Sequence, residues 1–181
     1  MTAKTSHVTD VAREAHRLIV DVGMPFEEFR LRYERAVPPF DAPVYERLVA
    51  EGAGWPAVRA AADRNASHGF VIFWSLDNGA LLRGSGEWWR SVQYLMGNAA
   101  IAEGMFRHDP AVMLYAPLRT TIYEYPAGVT HFAIEQPSAQ FAQFGHPEIT
   151  AVGAELDEKL ARLLRHLRVP VPDRLLHDAR P

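Results

Sequence analysis

Four polar side chains in one predicted β-hairpin have the types and the spacing for acid–base chemistry: Arg119, Tyr123, His131 and Glu135. A histidine next to a phenol can transfer a proton near neutral pH, and an arginine can hold a carboxylate through paired hydrogen bonds. The same residue types also stabilise ordinary sheet surfaces, where a cross-strand pair contributes ~0.2–1 kcal/mol. The sequence therefore leaves two interpretations open, one catalytic and one structural.

The loop between the two predicted strands, residues 126–128, determines which of these residues face each other. Gly128 supplies the positive φ of a bulged three-residue turn, so that Tyr125 pairs with Val129. A register shifted by one residue would scatter the polar groups over both faces. Counting outward from the turn predicts the pairs Ile122–Phe132 and Thr120–Ile134 on one face, and Tyr123–His131 and Arg119–Glu135 on the other.

Aromatic and imidazole side chains elsewhere in the chain are further candidates for ligand binding. Trp88 and Trp89 follow a glycine-rich loop, where they either cover an edge of the core or form a flap over an apolar ligand. Tyr94, in the next predicted strand, is another candidate. His146 stands just before the first residue of a predicted helix, where backbone N–H groups can bind a carboxylate or a phosphate.

The sequence contains no recognisable metal or cofactor motif. It has no cysteine, which excludes disulfides, thiol nucleophiles and thiolate-bound metals. Its eight histidines show neither HExxH nor His-x-His spacing, so a metal site would need residues from distant positions. A dinucleotide-binding glycine pattern, a P-loop and a nucleophile elbow are all missing. We therefore expect no metal and no cofactor.

Composition narrows the class of protein. The chain has 181 residues, 48% hydrophobic and 23% charged, which is typical of one globular domain. A net charge of −3 argues against the basic surface that nucleic-acid-binding proteins carry. The N-terminal segment lacks the apolar core of a secretory signal, and no apolar run approaches the ~20 residues of a membrane span. We expect a cytoplasmic, soluble protein that binds neither nucleic acid nor membranes.

Hydrophobic periodicity and breaker residues predict the elements that position these candidates. The predicted strands are 17–22, 70–74, 91–96, 112–125 with a break at Pro117, and 129–135; the predicted helices are 26–37, 99–108 and a long helix from 147 that ends before Pro170. This order describes an α+β fold in which helices pack on one face of an antiparallel sheet. A helical insertion falls at about 38–66. We expect a single domain over 16–170, with a flexible arm at 1–15 and a flexible tail at 171–181.

Three short motifs resemble one known family: Leu95-Met96-Gly97-Asn98-Ala99, Ala116-Pro117-Leu118-Arg119 and Ile122-Tyr123-Glu124. They are similar to the domain of unknown function 302 family, mainly over residues 94–138, although Ala99 stands where proline is common. The resemblance implies a TATA-binding-protein-like fold in the order β-α-β(4)-α, from which the helical insertion departs. It assigns no residue role, because that family has no general catalytic motif.

Three functional hypotheses remain. The first is a small-molecule-binding protein whose apolar pocket lies between the sheet and the long C-terminal helix. The alternative is a cofactor-free isomerase, cyclase or lyase that acts on an apolar metabolite, with His131 and Tyr123 as acid–base groups. The third is a homodimer that uses the polar sheet face as its interface. Whether this face opens onto a pocket or onto solvent distinguishes the hypotheses.

Overall fold

The computed structural model describes residues 6–176 of the chain. Within this range the strands are β1 (Arg17–Asp21), β2 (Val71–Asp77), β3 (Arg90–Gly97), β4 (Leu118–Glu124) and β5 (Thr130–Glu135). The α-helices are α1 (Phe26–Ala36), α2 (Ala42–Ala50), α3 (Trp55–Asn65), α4 (Asn78–Leu82), α5 (Ala99–Phe106), α6 (Pro137–Ala142) and α7 (Pro147–Leu167). Short 3-10 helices cover Arg83–Ser85, Pro110–Leu114 and Asp173–Leu175.

The strands form one antiparallel sheet in the order β1-β5-β4-β3-β2. Helices α1 and α7 pack against one face, which we call the covered face; it carries the buried side chains Val20, Val92, Ile122 and Phe132. The opposite face, which we call the open face, carries the alternate residues of the same strands, among them Ile19, which is 51% exposed. This arrangement confirms the predicted α+β class.

The β4–β5 hairpin has the register that the turn predicted. Ile122 pairs with Phe132, and Tyr123 pairs with His131. Gly128 adopts a φ of +80°, which an L side chain rarely adopts, and its N–H donates to the carbonyl oxygen of the last residue before the turn at 2.8 Å. Since Ile122 and Phe132 are fully buried, a slip by one residue would bring polar side chains into the core.

Helix α7 supplies the longest apolar stripe of the covered face. It begins at Pro147 with Glu148 in its first turn, where the helix dipole favours an acidic residue. Four apolar residues at helical spacing are each less than 5% exposed: Ile149, Leu156, Leu160 and Leu163. Burial of one such leucine stabilises the fold by ~1.5–3 kcal/mol. Despite this stripe, neither α7 nor any other helix within residues 6–176 has the length and apolar character needed to cross a membrane.

The predicted helical insertion is present as α2 and α3, and its first residues run along the edge strand β2. The N–H of Ile72 donates to Pro38 at 2.8 Å, and the N–H of Phe40 donates back to Ile72 at 2.9 Å. The Phe40 ring packs between Tyr45 and Phe73, with centroid distances of 4.4 and 4.7 Å. The insertion therefore covers part of a sheet edge that would otherwise expose unpaired backbone groups.

The segment 112–115 does not form the strand that the sequence predicted. It belongs mostly to the 3-10 helix Pro110–Leu114. The Asp109 carboxylate accepts a hydrogen bond from the N–H of Ala111 at 2.8 Å, a local cap that outweighs the β-propensity of the residues that follow. Strand β4 therefore begins only at Leu118.

The predicted arm at 1–15 contacts the domain near its end. Arg13 donates to the Glu135 carboxylate at 2.9 Å, and its guanidinium lies over the Tyr115 ring, 5.1 Å from the centroid. Most other described residues of this segment are exposed and form no helix or strand. Residues 1–5 lie outside the described part of the chain.

The boundary of the predicted tail, 171–181, needs a correction. Leu175 is only 1% exposed and belongs to the main hydrophobic core. The Gln136 side chain donates to a backbone carbonyl of the same segment at 3.0 Å. Residues 171–176 are therefore packed against the domain rather than loose, and 177–181 lie outside the described residues.

Candidate functional site

The polar residues proposed for acid–base chemistry lie on the open face of the sheet. Tyr123 and His131 are direct cross-strand partners, with ring centroids 5.2 Å apart and ring planes inclined by 34°. Both side chains are half-buried. The predicted register therefore brings this pair together on the face that α1 and α7 leave uncovered.

Two further aromatic side chains join this pair in what we call the aromatic cluster: Trp89, Tyr123, Tyr125 and His131. The Tyr125 ring lies 5.3 Å from the rings of both Tyr123 and His131, and the Trp89 ring meets Tyr125 edge-on at 5.8 Å. Tyr125 was not among the predicted site residues, although it stands two residues after Tyr123 in an extended segment and so projects to the same side. Such ring pairs contribute ~0.5–1.5 kcal/mol each beyond their burial, which gives the cluster a stabilising role.

The protonation of this pair decides what chemistry it can perform. Burial, together with the neighbouring Tyr125 hydroxyl, raises the pKa of Tyr123, so its phenol stays protonated near neutral pH and acts as a donor. The Nδ1 atom of His131 is buried and has no hydrogen-bond partner within residues 6–176. A neutral imidazole has one nitrogen that accepts and one that donates a hydrogen bond. The pair therefore combines a proton donor with a proton acceptor.

The carboxylate of Glu135 binds Arg13 rather than Arg119. Arg13 Nη2 donates to Glu135 Oε2 at 2.9 Å, and Gln140 Nε2 donates to the same oxygen at 3.1 Å. Arg119 and Glu135 still line the same two surface grooves, of about 320 and 470 Å³. The predicted cross-strand ion pair is replaced because the segment before β1 brings a second arginine to this carboxylate.

Tyr94 lies on the covered face, apart from the other candidates. It is fully buried, its hydroxyl donates to Glu34 Oε1 at 2.9 Å, and its ring packs 5.0 Å from the Tyr33 ring. Burial and the nearby Glu34 carboxylate raise the pKa of Tyr94, which keeps the phenol neutral. The geometry gives Tyr94 a role in joining β3 to α1 within the core.

An apolar cavity of about 280 Å³ lies where the end of the sheet meets α5, α6 and α7. Its walls include Phe73, Met105, Met113, Leu118, Phe141 and Leu156. Asn98 is the one polar side chain among its described lining residues, and both ends of the amide are occupied. Its Oδ1 accepts from the N–H of Ala100 at 2.9 Å as a helix cap, and its Nδ2 donates to the carbonyl of Gly69 at 3.3 Å. The cavity therefore presents an apolar surface.

Small residues in and near α5 leave room for this cavity. Ala99 and Ala102 line it with single methyl groups, and Gly97 lines it where β3 ends. Next to it, Gly104 faces α7, where a Cβ would make an ordinary contact with Val152 at 3.7 Å. The sequence analysis named none of these residues as ligand contacts. The sequence feature that could have indicated this cavity is the high content of alanine and glycine around the capped start of α5.

Trp88 and Trp89 lie at the other end of β3 from the cavity. They precede the strand, whereas Gly97 ends it, and at ~3.3 Å per residue its length separates the two sites by more than 20 Å. Trp88 is 79% exposed and lies against Arg83, while the Trp89 indole N–H donates to Glu87 at 2.7 Å. A tryptophan flap over this cavity is therefore excluded by distance.

His146 is the N-cap residue of α7, but its neighbours differ from those of an anion site. Its ring lies 4.5 Å from the His108 ring, and its Nδ1 lies 2.9 Å from Glu148 Oε2. The backbone N–H of Glu148 and the two imidazoles hold the pKa of the Glu148 carboxyl below its ordinary value. An ionised carboxylate disfavours a second anion here, which argues against the predicted carboxylate or phosphate site.

These three side chains could instead hold a cation. Their potential ligand atoms all lie within 4.8 Å of one another. The sequence did not predict this group, because His108 is distant from His146 and Glu148 along the chain and only the packing of α5 against α7 brings them together.

Comparison with known proteins supports the fold and assigns no activity. The family model "Domain of unknown function DUF302" matches residues 56–167, more than half of the chain. The match thus extends beyond 94–138 and includes most of α3. The crystal structure of an uncharacterized conserved protein DUF302 from Bacillus stearothermophilus is similar with a TM-score of 0.60 and 18% identity, over 84% of this chain and 98% of that one. No curated protein matches the chain.

Proposed function

This chain belongs to the family described as domain of unknown function DUF302, and since that description assigns no activity, we propose a function from the geometry: the protein binds a small apolar molecule in the apolar cavity. The ligand would sit between the end of the sheet and α5, with Phe141 and Leu156 behind it.

Two features of the cavity together support this proposal: its lining is apolar, and the side-chain amide of Asn98 already has its hydrogen-bond partners within the protein. Because the Asn98 side chain already caps α5 and binds the carbonyl of Gly69, it has no need of a ligand. A polar ligand would lose its hydrogen bonds to water on entry and find few replacements, whereas an apolar ligand loses none. The chemistry of the lining therefore favours hydrocarbon or aromatic groups.

The size of the cavity limits the ligand. At about 280 Å³ it is close to twice the volume of an engineered cavity of ~150 Å³ that binds benzene. A ligand of naphthalene size, or a short branched hydrocarbon chain, fits this space.

A fluorine-labelled probe tests the proposal directly. We expect 1-fluoronaphthalene to bind the wild-type chain and to show a broadened, shifted fluorine NMR signal. Ala102→Phe places a ring inside the cavity and should abolish this effect. Ala151→Phe makes the same change at an exposed position of α7 and serves as the matched control, with binding unchanged. Unchanged binding in both variants, or no binding to the wild type, would contradict the proposal.

A second candidate function is a cofactor-free isomerase, cyclase or lyase that uses the open face. It rests on one observation: the half-buried His131 imidazole and the protonated Tyr123 phenol lie side by side on the open face, with ring centroids 5.2 Å apart. A base and an acid that both reach a substrate can move a proton next to its carbonyl group. Small apolar ketones in deuterated water provide the test. Deuterium exchange should be faster than in buffer and should stop in His131→Asn and Tyr123→Phe; equal rates in all samples would dismiss this candidate.

A further inference from the structure

We propose that His108, His146 and Glu148 form a binding site for a divalent transition-metal ion of the zinc type, at the junction of α5 and α7. This site is separate from the proposed apolar ligand site and does not depend on it. We call these three residues the imidazole–carboxylate group.

The geometry of the group provides the main support. His108 follows the last turn of α5, and His146 and Glu148 flank the first residue of α7. Their possible ligand atoms lie within 4.8 Å of one another, and the two imidazole rings are 4.5 Å apart. Within residues 6–176, no other group of three histidine, aspartate or glutamate side chains converges in this way.

The donor types suit zinc. Two histidine nitrogens and one carboxylate oxygen are a common zinc ligand set, at bond lengths of ~2.0–2.2 Å, with a fourth position for water or substrate. Ligand atoms around such an ion lie ~3.4 Å apart, so atoms that lie within 4.8 Å of one another must close by at most ~1.4 Å. His108 and Glu148 are exposed and can turn to do so.

The charges near the group also favour a cation. Glu148 supplies the carboxylate of the group, and its Oε2 lies 2.9 Å from His146 Nδ1. Arg107, which could compete for this carboxylate, is paired with Glu103 on its own helix. The positive end of the α7 dipole opposes a bound cation, and the negative charge of the carboxylate must offset it.

Another imidazole pair provides an internal comparison. The His68 and His166 rings lie 3.9 Å apart, closer than those of His108 and His146, yet no third donor completes a group with them in the described chain. If two adjacent imidazoles alone were sufficient, this pair would bind the ion as well. The carboxylate therefore distinguishes the proposed site.

Zinc titration tests the proposal. The full chain is dialysed against a chelator and titrated with Zn²⁺ alone by calorimetry, with one ion bound per chain as the expected result. His108→Ala, His146→Ala and Glu148→Gln should each weaken binding at least about tenfold, since even residues that only orient a metal ligand have effects of this size. His68→Ala and His16→Ala should bind as the wild type does. His16 is a suitable control because it also lies beside a carboxylate, Glu14 at 3.1 Å, but without a second imidazole.

A measurement on the unmodified chain removes any ambiguity from misfolded variants. Co²⁺ should produce paramagnetic NMR shifts that are largest around His108 and Glu148. The proposal is overturned if the wild type binds no zinc, if the three variants keep full affinity, or if the Co²⁺ shifts centre on His68 and His166.

Discussion

Adjacent residues of β4 and β5 lie in two different environments. On the covered face, Ile122 and Phe132 are fully buried against α1 and α7, and apolar contact determines their pairing. On the open face, their sequence neighbours Tyr123 and His131 are half-buried and meet through ring contacts. The comparison shows that burial of the covered face determines the register of β4 and β5. This register in turn determines which polar residues face each other on the open face.

The clearest test of this difference compares two neighbours in β5. Phe132→Ala removes a fully buried ring and should lower the free energy of unfolding by ~3–5 kcal/mol. His131→Ala removes a half-buried ring that contacts two tyrosines and should cost about 1 kcal/mol. Urea unfolding of both variants provides the values. Equal losses would show that the two faces contribute alike to stability.

The helical layer of the covered face gives the next largest effect. Leu160→Ala, in the middle of the α7 stripe, should cost ~2–5 kcal/mol through lost burial and a new cavity. Leu31→Ala, a leucine of α1 that is 51% exposed, is the matched control and should change the free energy of unfolding by less than about 1 kcal/mol. A loss below about 0.5 kcal/mol for Leu160→Ala would mean that α7 does not dock as described.

Ion pairs beside the open face should contribute much less. A double-mutant cycle between Arg13 and Glu135 should give a coupling of ~0.2–1 kcal/mol that weakens with added salt, because both side chains are partly exposed. The same cycle between Arg119 and Glu135 should give a coupling near zero. A larger coupling for Arg119 would restore the cross-strand pair that the sequence predicted.

No effect on ligand binding is expected at the tryptophans. Trp89→Ala should leave 1-fluoronaphthalene binding unchanged, because the side chain lies at the end of β3 away from the cavity. Its stability should fall by ~0.5–1.5 kcal/mol through the lost contact with Tyr125. Loss of probe binding in this variant, with the cavity residues intact, would contradict this expectation and would show that the tryptophans belong to the ligand site.

The sequence predicted correctly those parts of the fold in which turn residues and the pattern of apolar residues indicate the same structure. The three-residue turn at Gly128 and the alternation in the strands determined the hairpin register, and the apolar spacing of α7 determined its length. The strand predicted at 112–115 failed because the Asp109 cap was not weighed against β-propensity. The buried Leu175 was missed because a short segment between prolines shows no periodicity.

The candidate site was less predictable, since the cavity depends on contacts between segments far apart in sequence. Its walls combine Phe73, Leu118 and Phe141, and no pattern within a single element indicates that they leave a gap. The same limit applied to Arg13, which no spacing rule connects with Glu135. The residue types in the sequence indicated a site on the open face. The cavity instead lies where the packing of α5 against α7 leaves space.

Methionine methyl groups offer the most direct test of ligand binding in the cavity. Met105 and Met113 line it, whereas Met24 packs against the core beyond the far end of β1. In a chain with ¹³C-labelled methionine methyls, we predict that 1-fluoronaphthalene shifts the Met105 and Met113 signals in proportion to occupancy and leaves Met24 unchanged. Shifts confined to Met24, or no shift at saturating probe, would contradict the assignment of the apolar cavity as the ligand site.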